Sequence, residues 1–414
     1  MKVSRNPRSW SLVLLAVAAV GALVATVGQK SGRSVLYASV GPELTTYDLD
    51  VAKAALTKRE TIKLPGLVTE ATLHPSKKFM YIVWGGFPGG GEHGMSAFRV
   101  DPATGALTPH GPSVSLRSTP GYISAVVTDV NATHILASDS EPSRISVHKL
   151  LPDGTIGEEV FSPGTLDFGI HAHQIRMDPS GLTVVLPCRG ESANATRALL
   201  PGSIRLFGYK DGILTEKQTV MPGGGLEFQV RHMDIHPSRK WDYFTLERQN
   251  KMLVYERMKD GSLGKQLYAK DTLSEPGNVR PGQITGTVHV HPNGRIVYAA
   301  NRASGTTMVD GKRVFVGGEN SIAVFSIDQK TGEPTLIQNM DTQGIHPRTF
   351  ALDPTSRMLV AAHTNSLPAK DGTVIPASLS TFRIGADGKL AFEHKYDIAL
   401  NGSQQFWMGI HPLP

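Results

Sequence analysis

Cysteine is almost missing from this chain: Cys188 is the only one in 414 residues. No intrachain disulfide can form, and no cysteine-based metal site exists. Helical periodicity is missing as well. After residue 30 no stretch carries the apolar spacing of an amphipathic helix. The glycine-rich "GGFPGGG" has no G-K-[ST] behind it, which excludes a phosphate loop. No G-x-S-x-G elbow occurs, which disfavours a serine nucleophile. Strong charge of one sign is also lacking. Lys+Arg 42 against Asp+Glu 36 leaves a formal +6, with Lys2, Arg5 and Arg8 ahead of an apolar run. No basic stripe is present, so nucleic acid is not an expected partner.

What is there is ordinary for a globular protein: 40% hydrophobic and 19% charged residues. Gly 43 and Pro 27 suit a chain with many turns. The N-terminus has the layout of a secretory signal. "MKVSRNPRSW" is basic, residues 11–28 ("SLVLLAVAAVGALVATVG") are apolar and uncharged, and Thr26 and Gly28 are small residues near a cleavage point. The segment 1–28 is therefore expected to be a signal peptide or an uncleaved membrane anchor. In either case the folded body lies outside the cytoplasm, periplasmic or extracellular.

The rest of the chain repeats itself. "LVTEATLHPSKKFMYIVWGG", "HAHQIRMDPSGLTVVLPCRG", "RHMDIHPSRKWDYFTLER", "TGTVHVHPNGRIVYAANRAS" and "HPRTFALDPTSRMLVAAHTN" are variants of one unit. A weaker copy, "PGYISAVVTDVNATHILASDS", lies between the first two. Each unit reads as short β-rich runs split by Asp-Pro, Asn-Gly or Asp-Gly turns. Four strands per unit, at a spacing of about forty to fifty residues, is the signature of propeller blades. Residues 34–414 are thus expected to form an all-β, seven-bladed β-propeller. The chain opens with half a unit and ends with "FWMGIHPLP", so its N- and C-terminal strands should share one blade and leave no open edge.

Aligning the units on Pro75, Pro179, Pro237, Pro292, Pro354 and Pro412 sorts the residues into columns. Four and two positions before the proline every residue is apolar, as period-2 burial requires. Six before stand Thr69, His173, Arg231, Gly286, Arg348 and Phe406. Five before stand Glu70, Gln174, His232, Thr287, Thr349 and Trp407. Ten after stand Gly85, Arg189, Glu247, Arg302 and Thr364. Inner strands of a propeller run the same way, and second strands return to the same end. These three columns should therefore meet at one channel mouth. Arg189, Arg231, Arg302 and Arg348 would make that mouth cationic, with His173, His232, Glu70 and Glu247 beside them. Such a mouth favours an anionic ligand and shifted titrations. The histidines of the "HP" turns, His74, His236, His291 and His411, read as turn residues at the far end.

At these motifs the chain resembles the lactonase-type seven-bladed propellers, which include cycloisomerase-like 6-phosphogluconolactonases and carboxymuconate cyclases. The resemblance implies that Arg231, His232 and Glu247 match the family's Arg-His pair and following Glu, and that Arg348 matches the Arg of the last full blade. Leu246 and Thr287 depart from that pattern, as do the loops 85–94, 190–202 and 303–320 and the export signal. The resemblance implies a lactonase that opens a small anionic lactone, and the N-terminal signal implies that it is exported. His232 or Glu247 would be the base, His173 the proton donor, and Arg231, Arg348, Arg302 and Arg189, with Glu70, the substrate-binding groups. No cofactor or metal is expected, since calcium-dependent lactonase propellers need more carboxylates than this mouth offers. The alternatives are a muconate-type cycloisomerase and a non-catalytic binding or scaffold propeller.

Overall fold

The computed structural model describes Met1 and residues 33–86, 92–116 and 125–414. The expected leader or anchor over 1–28 and residues 87–91 of the glycine-rich loop lie outside them. Residues from Arg33 onward form seven sheets, six of four strands and one of five. These are blade 1 (residues 34–63 and 405–412), blade 2 (67–115), blade 3 (125–160), blade 4 (176–220), blade 5 (230–271), blade 6 (284–341) and blade 7 (345–397). Their inner strands neighbour one another in ring order, and the seventh meets the first. In blade 1 the strand Gln405–Pro412 pairs antiparallel with Ser34–Val40. Among the described residues the one helical segment is a 3-10 turn, Pro222–Gly225, and no helix is long and apolar enough to cross a membrane.

Alternation along the second strands explains the core. Val35 and Tyr37 pack toward blade 2, while Leu36 and Ala38 pack toward blade 7. The same division recurs around the ring. Seven apolar clusters result, each lying between two adjacent blades. Second strands therefore bury both faces. Phe79–Gly85, Trp241–Leu246 and Ile296–Arg302 contain no exposed residue. The strand side chains that do not face a neighbouring blade are the ones left at the channel and the rim.

One polar contact repeats with the blades. Tyr37, Tyr81, Tyr243 and Tyr298, each on a second strand, donate their hydroxyls to the carbonyls of Gly105, Gly154, Gly332 and Gly388 at 2.6, 3.1, 2.8 and 2.9 Å. Each acceptor sits in the turn between the third and outer strands of the next blade. A buried tyrosine hydroxyl needs such a partner. The acceptor turn has no choice of residue: Gly332 has φ +77°, and a Cβ there would come within 2.4 Å of the Trp241 ring.

The loops add small elements. Residues 303–320, one of the loops that depart from the family pattern, hold a hairpin that pairs Thr306–Val309 with Lys312–Phe315. A second short hairpin pairs Leu367–Pro368 with Val374–Ile375.

Replacing Tyr243 by Phe leaves the Gly332 carbonyl buried without a donor. The variant should lose about 1–3 kcal/mol of stability, read from the denaturant midpoint. The triple variant at Tyr81, Tyr243 and Tyr298 should lose a nearly additive sum, because the three sites lie in different blade interfaces. An unchanged midpoint would remove these tyrosines from the account of how blades are held together.

Candidate functional site

Irregular register is what brings the polar columns together. In blade 5 Val230 pairs with Leu246 and His232 with Thr245, so Arg231 is an extra residue. In blade 2 Thr69 is extra, and in blade 7 Arg348 is extra. Blade 6 breaks register between Thr285 and Val288. In blade 1 Phe406 and Trp407 together oppose Ser39. All these bulges fall in the same column, six or five residues before the aligned proline. A regular strand would send neighbouring residues to opposite faces. The bulge re-aims one of them, so that Arg231 and His232, or Arg348 and Thr349, line the same cavity.

Two cavities occupy the axis. The inner one, about 460 Å³, is lined by Thr69, Glu70, His173, Gln174, Arg231, His232, Thr287 and Arg348 at its upper end, and by Pro292, Pro354, Ser356 and His411 below. The outer one, about 520 Å³, is lined by His171, Arg189, Glu191, Arg197, Glu247, Arg248 and His346, with His173, Arg348 and Phe406 shared. The loop 190–202 supplies part of the outer rim through Glu191 and Arg197, and its two ends are joined by a bridge from Glu191 to Leu200. The 303–320 hairpin lines neither cavity.

Glu247 is the centre of the charged network. Its carboxylate accepts from Arg302 Nη2 and from Arg189 Nη1 at 2.9 Å. Arg231 Nε lies 3.0 Å from it, without the alignment of a hydrogen bond. Arg231 and Arg302 are the largest side chains that are fully buried. Burial alone would raise the Glu247 carboxyl, but Arg302, Arg189 and Arg231 outweigh it and hold the group well below the usual carboxylate range. Arg302 also meets His346 Nε2 at 3.0 Å and lies behind Glu247, outside the cavity linings. Arg348 differs. Among the described residues no carboxylate lies within ion-pair distance of it, and its guanidinium rests 3.8 Å over the Phe406 ring. Burial, then the charge of Arg302, pushes it down to about 9. That direction means that positive charge here is under-compensated.

The imidazoles respond to the same field. Burial, then Arg231, lowers both His173 and His232 well below the ordinary histidine value, so each is neutral near pH 7. Their rings touch edge to face at 4.9 Å. His173 Nδ1 is buried without a partner. Glu70 behaves in the opposite sense to Glu247: burial, only partly offset by Arg176, raises it to about 7. Glu191 holds the rim, bonded to His171 and to Arg197 Nη2 at 2.8 Å.

All eight expected site residues meet on this axis, with Arg302 as support rather than lining. The sequence reading missed several others. Arg176, Asp234 and His289 form a further channel tier, three residues before the aligned prolines. Alternation from Glu70 and His232 would have found that column. His171 and His346 stand eight before the proline with left-handed backbones, φ 55° and 60°, which sequence does not announce. His74, His236 and His291 are turn residues as expected, each accepting from a backbone N–H two positions on. His411 is not. It lies within the inner strand Gln405–Pro412 and lines the inner cavity, because no second strand follows it to form the turn. Among the described residues no cluster of His, Cys, Asp or Glu has metal-holding geometry.

Comparison with known proteins gives a consistent picture. The family model described as "Lactonase, 7-bladed beta-propeller" matches residues 25–370. The 6-phosphogluconolactonase of Bacillus subtilis is 26% identical over 334 residues, covering 79% of this chain and 86% of that protein. That of Pectobacterium carotovorum is 24% identical over 320 residues, covering 76% and 83%. Among solved structures, a periplasmic gluconolactonase of Pseudomonas aeruginosa superposes with a TM-score of 0.68 at 15% identity, covering 92% of this chain and 100% of the other. At that identity the likeness is one of fold.

Removing the Glu247 charge should strand three guanidinium groups in a dry site. Glu247→Gln is expected to cost about 3–5 kcal/mol in chemical denaturation. The pH dependence has a definite sign. A carboxyl held below its ordinary 4.5 contributes stability above that pH and loses it as the pH falls further. The wild type should therefore lose stability below about pH 4.5, and the Gln variant should show a flatter acid limb.

Proposed function

Because the chain belongs to the lactonase family of seven-bladed β-propellers, we propose that it is an exported hydrolase that opens a small anionic lactone at the cationic channel mouth. Lactone hydrolysis in general is what the family and its 6-phosphogluconolactonase relatives support. The observation that carries the anionic preference is the uncompensated Arg348 between the two cavities. An arginine with no carboxylate partner is free to pair with a substrate carboxylate or phosphate through paired donors. Export is supported by the basic-then-apolar N-terminal sequence and by the periplasmic name of one structural neighbour.

The reaction needs a base to activate water, donors for the oxyanion, and a proton for the leaving ring oxygen. Arg348 and Arg231 are the anion-holding groups. Arg302 and Arg189, fixed through Glu247, keep Arg231 in place. Glu247 itself is a poor base: three arginines hold its charged form so strongly that it has little affinity for a proton. The acid–base work therefore falls to the inner cavity, where His173 and His232 are neutral imidazoles and burial raises the Glu70 carboxyl to about 7. A neutral imidazole keeps one lone pair and one N–H, so it can accept a proton or donate to a developing oxyanion. The site groups named here are all side chains of this chain.

The test is a panel of carboxylate-bearing, phosphorylated and uncharged lactones followed by acid release. Anionic lactones should be the better substrates. Arg348→Ala should lose about 100–1,000-fold in kcat/KM with its melting behaviour retained. A wild-type protein that opens no lactone but copurifies with a partner would instead identify a scaffold propeller.

A further inference from the structure

The geometry points to His289, oriented by Asp234, as the base of the inner cavity, with His232 and His173 serving as neutral hydrogen-bond donors beside it. This rests on the lactone-opening reading and names which imidazole starts the reaction. Four imidazoles line the inner cavity: His173, His232, His289 and His411. Of these, His289 alone has a carboxylate partner, Asp234 Oδ2 at 3.7 Å from its Nδ1. That distance is longer than a hydrogen bond, as is common before a ligand closes a site.

The carboxylate is held from both sides. Asp234 Oδ2 accepts from the Val290 N–H at 2.8 Å, and Oδ1 accepts from the Ile235 N–H at 3.0 Å. One of these donors belongs to blade 6 and the other to blade 5, so the carboxylate bridges the two blades. Arg176 Nη2 stands 3.9 Å from Oδ1. The His289 ring is set edge to face against Phe350, with centroids 5.0 Å apart. With Nδ1 turned to Asp234, Nε2 is the nitrogen left to meet a water in the cavity. His289 lines the inner cavity, and Asp234 stands behind it; their side chains are 28% and 24% exposed. His232 is near enough for His289 to act on its charge, as do Arg231, Arg302 and Arg348. The charged and titratable groups that share the inner cavity with His289 are Glu70, His173, Arg176, Arg231, His232, Arg348, Asp353 and His411, with Asp234 beside its Nδ1. Among the described residues, Asp234 supplies His289 with an orienting carboxylate that His173, His232 and His411 do not have.

In the reaction His289 Nε2 removes a proton from water as the water oxygen adds to the lactone carbonyl carbon. Arg348 and the N–H groups of the neutral imidazoles hold the resulting oxyanion. Its collapse breaks the ring C–O bond, and the imidazolium of His289 returns the proton to the departing oxygen. The product hydroxy acid then ionises, which releases the proton that the assay records. The inner cavity extends past His289 to Pro292, Pro354 and Ser356 at the far end.

The experiment combines two measurements on the full chain. Long-range proton–nitrogen spectra of the imidazoles should show His289 as the Nδ1–H tautomer, and Asp234→Asn should disturb that signal. On the best lactone of the panel, His289→Gln should lower kcat about 100-fold or more with KM within about threefold. Asp234→Asn should lower kcat at least about tenfold, as for other residues that orient a base. Tyr243→Phe should leave turnover unchanged, and circular dichroism should show every variant folded. An Nε2–H tautomer overturns the assignment without reference to turnover. An active wild type whose His289→Gln variant keeps activity within about twofold overturns it while sparing the lactonase reading. A wild type inert toward every lactone sinks both, whatever the tautomer.

Discussion

One buried carboxylate, Glu247, sets the terms for the whole site. Taking an ion out of water costs several kcal/mol even after the protein relaxes. Three guanidinium groups around a single acid add mutual repulsion to that cost. Such a cluster persists only where rigid walls prevent it from spreading. Here the walls are second strands packed on both faces by the interblade clusters. The balance leaves the axis short of negative charge. Arg348 sits at the point where that shortage is open to a ligand. Local field and catalytic potential are thus one property, seen first as a cost to folding and then as an affinity for anions.

The bulges carry this field to its place. Five of the blades spend one extra residue at the same point of the inner strand, and the residue spent in blades 5 and 7 is an arginine. The irregularity costs a ladder hydrogen bond, yet it doubles the number of side chains a strand end can present to the axis. Below the bulge, normal alternation resumes and yields the tier of Arg176, Asp234 and His289. The axis is therefore layered. Arginines and one anchoring acid lie outermost, neutral imidazoles and Glu70 follow, and a carboxylate–imidazole pair lies deepest.

The fold was legible because the repeat is written in apolar columns that every blade needs for packing. Ala71 and Phe350 differ in size but obey the same period. The mouth was legible for a related reason, since equivalent positions in a ring converge whatever occupies them. What sequence could not supply is environment. Glu70 and Glu247 are both glutamates of the polar columns, yet one is raised to about 7 and the other is held far below its ordinary range. Only the count of nearby arginines separates them. Left-handed backbone at His171 and His346 is equally silent in the letters, because it follows from how the entering loop must turn into the strand. The hairpin within 303–320 was passed over since its glycine-rich flanks resemble open loop. His411 shares its dipeptide with three turn residues and parts from them because blade 1 takes its second strand from Ser34–Val40 and not from the residues after the inner strand.

The split composition of blade 1 has a consequence for biosynthesis. Its three early strands emerge ahead of the other six blades, but the strand that completes them, Gln405–Pro412, emerges after those six. At about 5–20 residues per second the wait is on the order of tens of seconds. Through that interval Ser34–Val40 offers an unpaired edge of seven residues, most of them apolar. The nascent chain is thus a natural client for holdase chaperones until its final segment is released. Truncations that spare six blades but delete the last eight residues of that strand would leave a molecule that is sticky rather than merely incomplete.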